Sequence, residues 1–149
     1  MIYLASPHST TPHTFLSPEE AISVRRWREE AALVAMAHFH SLDLNVYSPI
    51  AHNHRADHYF KKFIRHDGTT EYEHYQRWDE HMISVAEDFY VLTLPGYQCS
   101  RGVYSEIRFW YSLHPTASTH LANINSIIEE AVGLCPFSYQ LATQPGLVP

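Results

Sequence analysis

At 149 residues the chain has room for one domain with a single continuous core. Its 45% hydrophobic and 17% charged residues exclude a disordered protein, and a net charge of −6 excludes a general polyanion-binding surface, so no nucleic-acid polymer is expected as a partner. No apolar run reaches the length of a bilayer span and no basic-then-apolar leader opens the chain, while Cys99 and Cys135 are too few for a disulfide framework or a four-cysteine zinc site. The expectation is a cytoplasmic protein with reduced thiols and no membrane partner.

Taken in chain order, "IYLAS" (2–6) reads as a β-type run ended by Pro7 and a polar loop to residue 17. Ser17-Pro18-Glu19-Glu20 is a helix start: Ser17 caps, Pro18 takes the first helical position and Glu20 closes a capping box. Helical spacing of Ile22, Trp27, Ala31, Val34 and Ala35 carries that helix to about His40. "LNVYSPI" (44–50) reads as a second strand stopped by Pro49. Residues 51–75 are polar and irregular, with a short helix expected around Tyr59 to Arg65. The run "YEHYQRWDEHMISVAED" is helical by the spacing of Trp78, Met82, Ile83 and Ala86, and Asp88 after it reads as a turn or structural acid. "FYVLTL" (89–94) is the clearest buried strand, ended by Pro95-Gly96. Val103, Ile107, Trp110 and Tyr111 form a helical stripe from Ser100 to Leu113. A last helix is expected from about Thr119, with Leu121, Ile124, Ile128 and Ala131 inward and Gly133 as its stop. Residues 1–133 are read as one α/β domain and 134–149 as an irregular tail lying over a neighbouring surface.

Alternating strands and helices imply a three-layer, Rossmann-like (flavodoxin-like) α/β fold with a mostly parallel sheet of four or five strands. Ligands in such sheets sit at the carboxyl ends of the strands, which points to the loops at Ser6–His13, Pro49–His54 and Pro95–Arg101. In the last of these, "PGYQCSRGVYSEI" opens a helix with Ser100 at the N-cap and Gly102 admitting a ligand close to the backbone. Helix N-termini suit a phosphate or another anion. Glu106 leans back toward that end and reaches the same cavity. A carboxylate beside a sugar C1′ is the nucleophile arrangement of retaining glycosyl transfer, in which a second acid protonates the leaving group.

The blocks "IYLASP", "VYSP" and "RWDEHM…EDFYVLTLPGYQCSRGVYSEI" resemble the nucleoside 2-deoxyribosyltransferase superfamily, and within it a bacterial and phage branch with the signature LPGW-x-x-S-x-G-[IV]-x-x-E. The resemblance spans roughly residues 1–113. It implies a Rossmann-like subunit that assembles as a homo-oligomer, a dimer or tetramer, with Glu106 as nucleophile. Ser-x-Gly-Val-x-x-Glu is also similar to 5′-monophosphate N-glycosidases, where the serine contacts phosphate. Deoxyribosyltransferases carry an aspartate where Ser100 stands, which moves the expectation toward nucleotide hydrolysis. By the same resemblance Tyr3 orients Glu106, and Asp79 is the second acid. Ser6, His8 and Ser9 lie near the sugar or phosphate, and Tyr97, a tryptophan in that branch, stacks on a base. The branch's apolar strand after the Leu113 region is not evident here.

The expected activity is therefore cleavage of the N-glycosidic bond of a (deoxy)nucleoside or its 5′-monophosphate, by hydrolysis or deoxyribosyl transfer, with no cofactor. The alternative is a catalytically inactive nucleotide-binding or sequestering module. Of twelve histidines, His52, His54, His58, His66, His74 and His81 fall close together. His54 and His58 stand at i, i+4, the spacing of paired metal ligands on a helix, but the remaining spacing is irregular and no HExxH occurs. No metal site is assigned, and a metal-dependent hydrolase is kept as a third reading.

Overall fold

The structure, a computed structural model, describes residues 1–53 and 71–146. The short helix expected at 59–65, and His54, His58 and His66, lie outside the described residues. Strands β1 (Ile2–Ala5), β2 (Val46–Tyr47), β3 (Asp88–Leu92) and β4 (His120–Ala122) form one parallel sheet in the order β2-β1-β3-β4. Helix α1 (Pro18–Ser41) links β1 to β2, α2 (Glu71–Ser84) precedes β3, and α3 (Arg101–Leu113) follows it. Two shorter helices, α4 (Asn125–Val132) and α5 (Ser138–Ala142), complete the chain. The expected three-layer α/β architecture is present.

The layers follow from the two-residue alternation of strand side chains. Ile2, Leu4 and Leu92 point to one face and pack with Val24, Trp27, Ala31, Ala35 and Phe39 of α1 and Ile128 of α4. Tyr3, Ala5, Phe89 and Val91 point to the other and pack with Ile83 of α2 and Val103, Ile107 and Trp110 of α3. Each fully buried Leu, Ile or Phe in these clusters stabilises the fold by about 1.5–3 kcal/mol. The capping box at Ser17 forms as expected: Ser17 Oγ accepts from the Glu20 N–H and Glu20 Oε2 accepts from the Ser17 N–H.

Four elements depart from the sequence reading. The second strand is two residues long, because Pro49 starts a helical segment (49–53) instead of merely ending a strand. Asp88 is the first residue of β3 rather than a turn. Residues 120–122 form a strand, not helix, since Tyr90, Val91 and Leu92 present a free ladder edge to them. Leu121 then points outward, 58% exposed, and Ala131 is exposed on the shorter α4. The tail contains α5, whose Leu141 is buried in the α1 face of the core, and beyond it the Pro145 carbonyl accepts from Cys99 Sγ at 3.0 Å.

Arg28 of α1 is fully buried and pins two loops together. Its guanidinium donates to the Ser9 carbonyl (3.0 Å) after β1 and to the Pro95 carbonyl (3.0 Å) after β3, and it lies 3.3 Å from His13 Nε2. Burial lowers its pKa to about 10. Gly96 in that second loop has φ +82°, and a Cβ there would stand 2.9 Å from Arg28 Nη2, so glycine is required on both counts.

Candidate functional site

Strand β1 leans toward β2 on one side and β3 on the other, so chain direction across the sheet reverses between β1 and β3, the usual location of ligand clefts in open α/β sheets. On the α2–α3 face beside this point lies a cavity of about 150 Å³. Asp79 and Glu80 of α2 line it, as do Gly102, Ser105 and Glu106 from the first two turns of α3, with Tyr75 and Phe109 as aromatic walls.

Helical phase explains the grouping. Positions 75, 79 and 83 fall on one stripe of α2, with 76 and 80 beside it, while 102, 105, 106 and 109 fall on one stripe of α3. Below them, Tyr3 is completely buried in β1, stacked on Phe89 with ring centroids 5.3 Å apart. Its hydroxyl donates to Glu106 Oε1 at 3.0 Å. A parallel arrangement holds the second acid: Tyr47 of β2 donates to Asp79 Oδ1 at 3.3 Å and accepts from Asn53 Nδ2 at 2.9 Å. Two tyrosines from adjacent strands thus each hold one carboxylate.

The electrostatics follow from this packing. Burial, reinforced by the negative charge of Asp79, pushes the Glu106 pKa up to about 8, against a smaller opposing effect of the Tyr3 hydrogen bond. Burial, with the charges of Glu106 and Asp79, raises the Tyr3 phenol well above its ordinary value, so it remains a donor. Tyr47 is raised by burial and by Asp79. In the ligand-free protein at neutral pH, Glu106 is therefore biased toward its protonated form, by burial first and by the nearby Asp79 second.

The predicted residues divide cleanly. Glu106, Asp79 and Gly102 line the cavity, and Tyr3 holds Glu106 from below. Ser100 caps α3 with its Oγ accepting from the Val103 N–H at 3.2 Å; it is buried and does not line the cavity. His8 pairs with Glu29 Oε1 at 2.8 Å, on the α1 side. Ser9 is exposed, with its hydroxyl engaged to Thr11 Oγ1 at 3.0 Å, and Tyr97 packs on the α2–α3 core cluster. Ser6 is buried, and its Oγ has no hydrogen-bond partner among the described residues. None of the described residues of the three loops expected to build the site, 6–13, 49–54 and 95–101, lines the cavity, which the facing helices α2 and α3 form instead. The sequence reading missed Tyr75, Gln76, Ser105 and Phe109; extending the helical phase from Asp79 and Glu106 would have found them.

Among the described residues no group of His, Cys, Asp or Glu is arranged to hold a metal ion. His52 is engaged with Ser48 and stacks on Tyr47 with centroids 4.8 Å apart, and His74 lies edge-on to Tyr75. No helix among the described residues is long and apolar enough to cross a membrane. Comparison of the chain with family models, with curated proteins and with solved structures finds no match.

Proposed function

We propose that the protein cleaves the N-glycosidic bond of a (deoxy)nucleoside or its 5′-monophosphate, with Glu106 as nucleophile and Asp79 as proton donor. The observation that carries this reading is the 3.0 Å hydrogen bond from the buried Tyr3 hydroxyl to Glu106, beneath a cavity that Asp79 also lines. Such a donor orients one carboxylate oxygen and leaves the other free to attack.

In the reacting form the pair holds one proton, on Asp79, and Glu106 is ionised. The Glu106 carboxylate bonds to C1′ as the C1′–N bond breaks. The bonding electrons pass to the base nitrogen, and Asp79 delivers its proton to the base. Water then attacks C1′ of the glycosyl ester and gives a proton to Asp79, and Glu106 leaves as carboxylate; a second base in place of water would make the reaction a transfer. None of the described lining side chains is cationic, which favours a nucleoside over its monophosphate, leaving the amide end of α3 to receive any phosphate. Exposed Trp78 on α2, Val85 just after it, and Tyr104 and Tyr111 on α3 support self-association as a dimer or tetramer.

A second reading, a nucleotide-binding module without turnover, draws support from the proton that Glu106 holds at neutral pH, since a carboxylic acid is a poor nucleophile. Incubation with a panel of nucleosides and 5′-monophosphates, followed by chromatography for free base, separates the two. The glycosidase reading expects base from at least one substrate. Ligand-induced rises in melting temperature with no base released from any of them favour the module.

A further inference from the structure

Two polar residues of the cavity, Gln76 and Glu80, have no part in the bond-breaking chemistry. They flank Asp79 at i−3 and i+1 on α2, and Gln76 Nε2 donates to Glu80 Oε1 at 3.0 Å. That bond engages one acceptor site of Glu80, and a carboxylate keeps further acceptor sites that a ligand in the cavity can use. The leaving base must lie on the α2 side, because Asp79 gives it a proton while Glu106, on α3, attacks the sugar. The aromatic rings of Tyr75 and Phe109 wall the same space.

A carboxylate only accepts hydrogen bonds, and a carbonyl placed against it is repelled. One residue away, Asp79 donates to a bound base once the single proton that it shares with Glu106 passes to it, the same form that the bond-breaking step requires. The two together form a donor–acceptor pair, complementary to a ring nitrogen lying next to an exocyclic amino group. This is the pattern of a 6-aminopurine at N7 and its amino group, or of a 4-aminopyrimidine at N3 and its amino group; the corresponding oxo bases present a carbonyl where Glu80 needs a donor.

We infer that Glu80, held by Gln76, is the specificity-determining residue of this site and selects amino-bearing bases over their oxo counterparts. The inference rests on the glycosidase reading for the placement of the base, and its test reads binding rather than turnover. Isothermal titration of the full-length protein and of Glu80→Gln with adenine, hypoxanthine, cytosine and uracil measures the preference directly. The wild type is expected to bind adenine and cytosine about tenfold or more tightly than hypoxanthine and uracil. The variant, which offers an amide donor toward the base, is expected to lose most of that ratio with an unchanged melting temperature. Equal binding of amino and oxo bases by the wild type, a preference that survives in Glu80→Gln, or binding of none of the four overturns the inference. Base release from nucleosides without such a preference overturns it alone, whereas selective binding without base release leaves it standing and overturns the glycosidase reading.

Discussion

The Tyr3 hydroxyl and the Glu106 carboxylate, 103 positions apart in sequence, meet at 3.0 Å under the α2–α3 cavity. The phenol is inside the sheet layer and cannot ionise readily, so it is a permanent donor to whichever protonation state Glu106 adopts.

Tyr3→Phe removes that donor and keeps the ring packed on Phe89. The stability cost is about 1 kcal/mol, that of one hydrogen bond. Because the bond opposes the upward shift of Glu106, its loss moves the Glu106 pKa higher still. Base release is expected to fall roughly 10- to 100-fold, the scale of a misoriented reacting group. Steady-state kinetics of the variant check this; wild-type kcat/KM would contradict the orienting role of Tyr3.

The pH dependence of kcat/KM distinguishes a shared proton from a lone nucleophile. If the pair must hold one proton, activity declines above about pH 8, as the proton that Glu106 retains is lost, and falls again at acid pH where the pair takes up a second one. If ionisation of Glu106 alone were sufficient, activity would instead rise through the same pH. In Tyr3→Phe the alkaline limb is expected at higher pH than in the wild type.

Stability carries the same signature. The folded-state pKa of Glu106, about 8, lies above its ordinary value of 4.5, so between those values the folded protein holds a proton that the unfolded chain has released. The contribution of this group is therefore full below about pH 4.5 and is lost as pH rises through about 8. Each unit of difference corresponds to about 1.4 kcal/mol, reduced here because the side chain is only half-buried. Glu106→Gln keeps an acceptor for Tyr3 and cannot titrate. Its melting temperature is expected to gain on the wild type by several degrees between pH 5 and pH 8.5; parallel curves over that range would show that Glu106 is not held protonated.

Much of the fold was legible because its signals are local. The capping box at Ser17, the apolar block of β3 and the stripe through Val103, Ile107 and Trp110 each declare themselves within a few residues. Strand β4 could not be read that way. It has three residues, its Leu121 is exposed, and 121, 124, 128 and 131 mimic a helical period, so only the edge of β3 makes it a strand. The site divides along the same line. Asp79, Gly102 and Glu106 sit on helices whose phase the sequence carries, whereas His8 and Ser100 met partners in Glu29 and the Val103 amide before they could face a ligand. Nothing local in the sequence announces that Tyr47 holds Asp79, because the contact depends on where β2 lies in the sheet.

The central claim, that Glu106 attacks the anomeric carbon, is tested most directly by timing free-base release by the wild type and by Glu106→Ala from the same nucleoside under saturating conditions. The account predicts steady release by the wild type and a loss of about a thousandfold or more in the variant, with ligand-induced thermal shifts retained. Release by Glu106→Ala at the wild-type rate would contradict it.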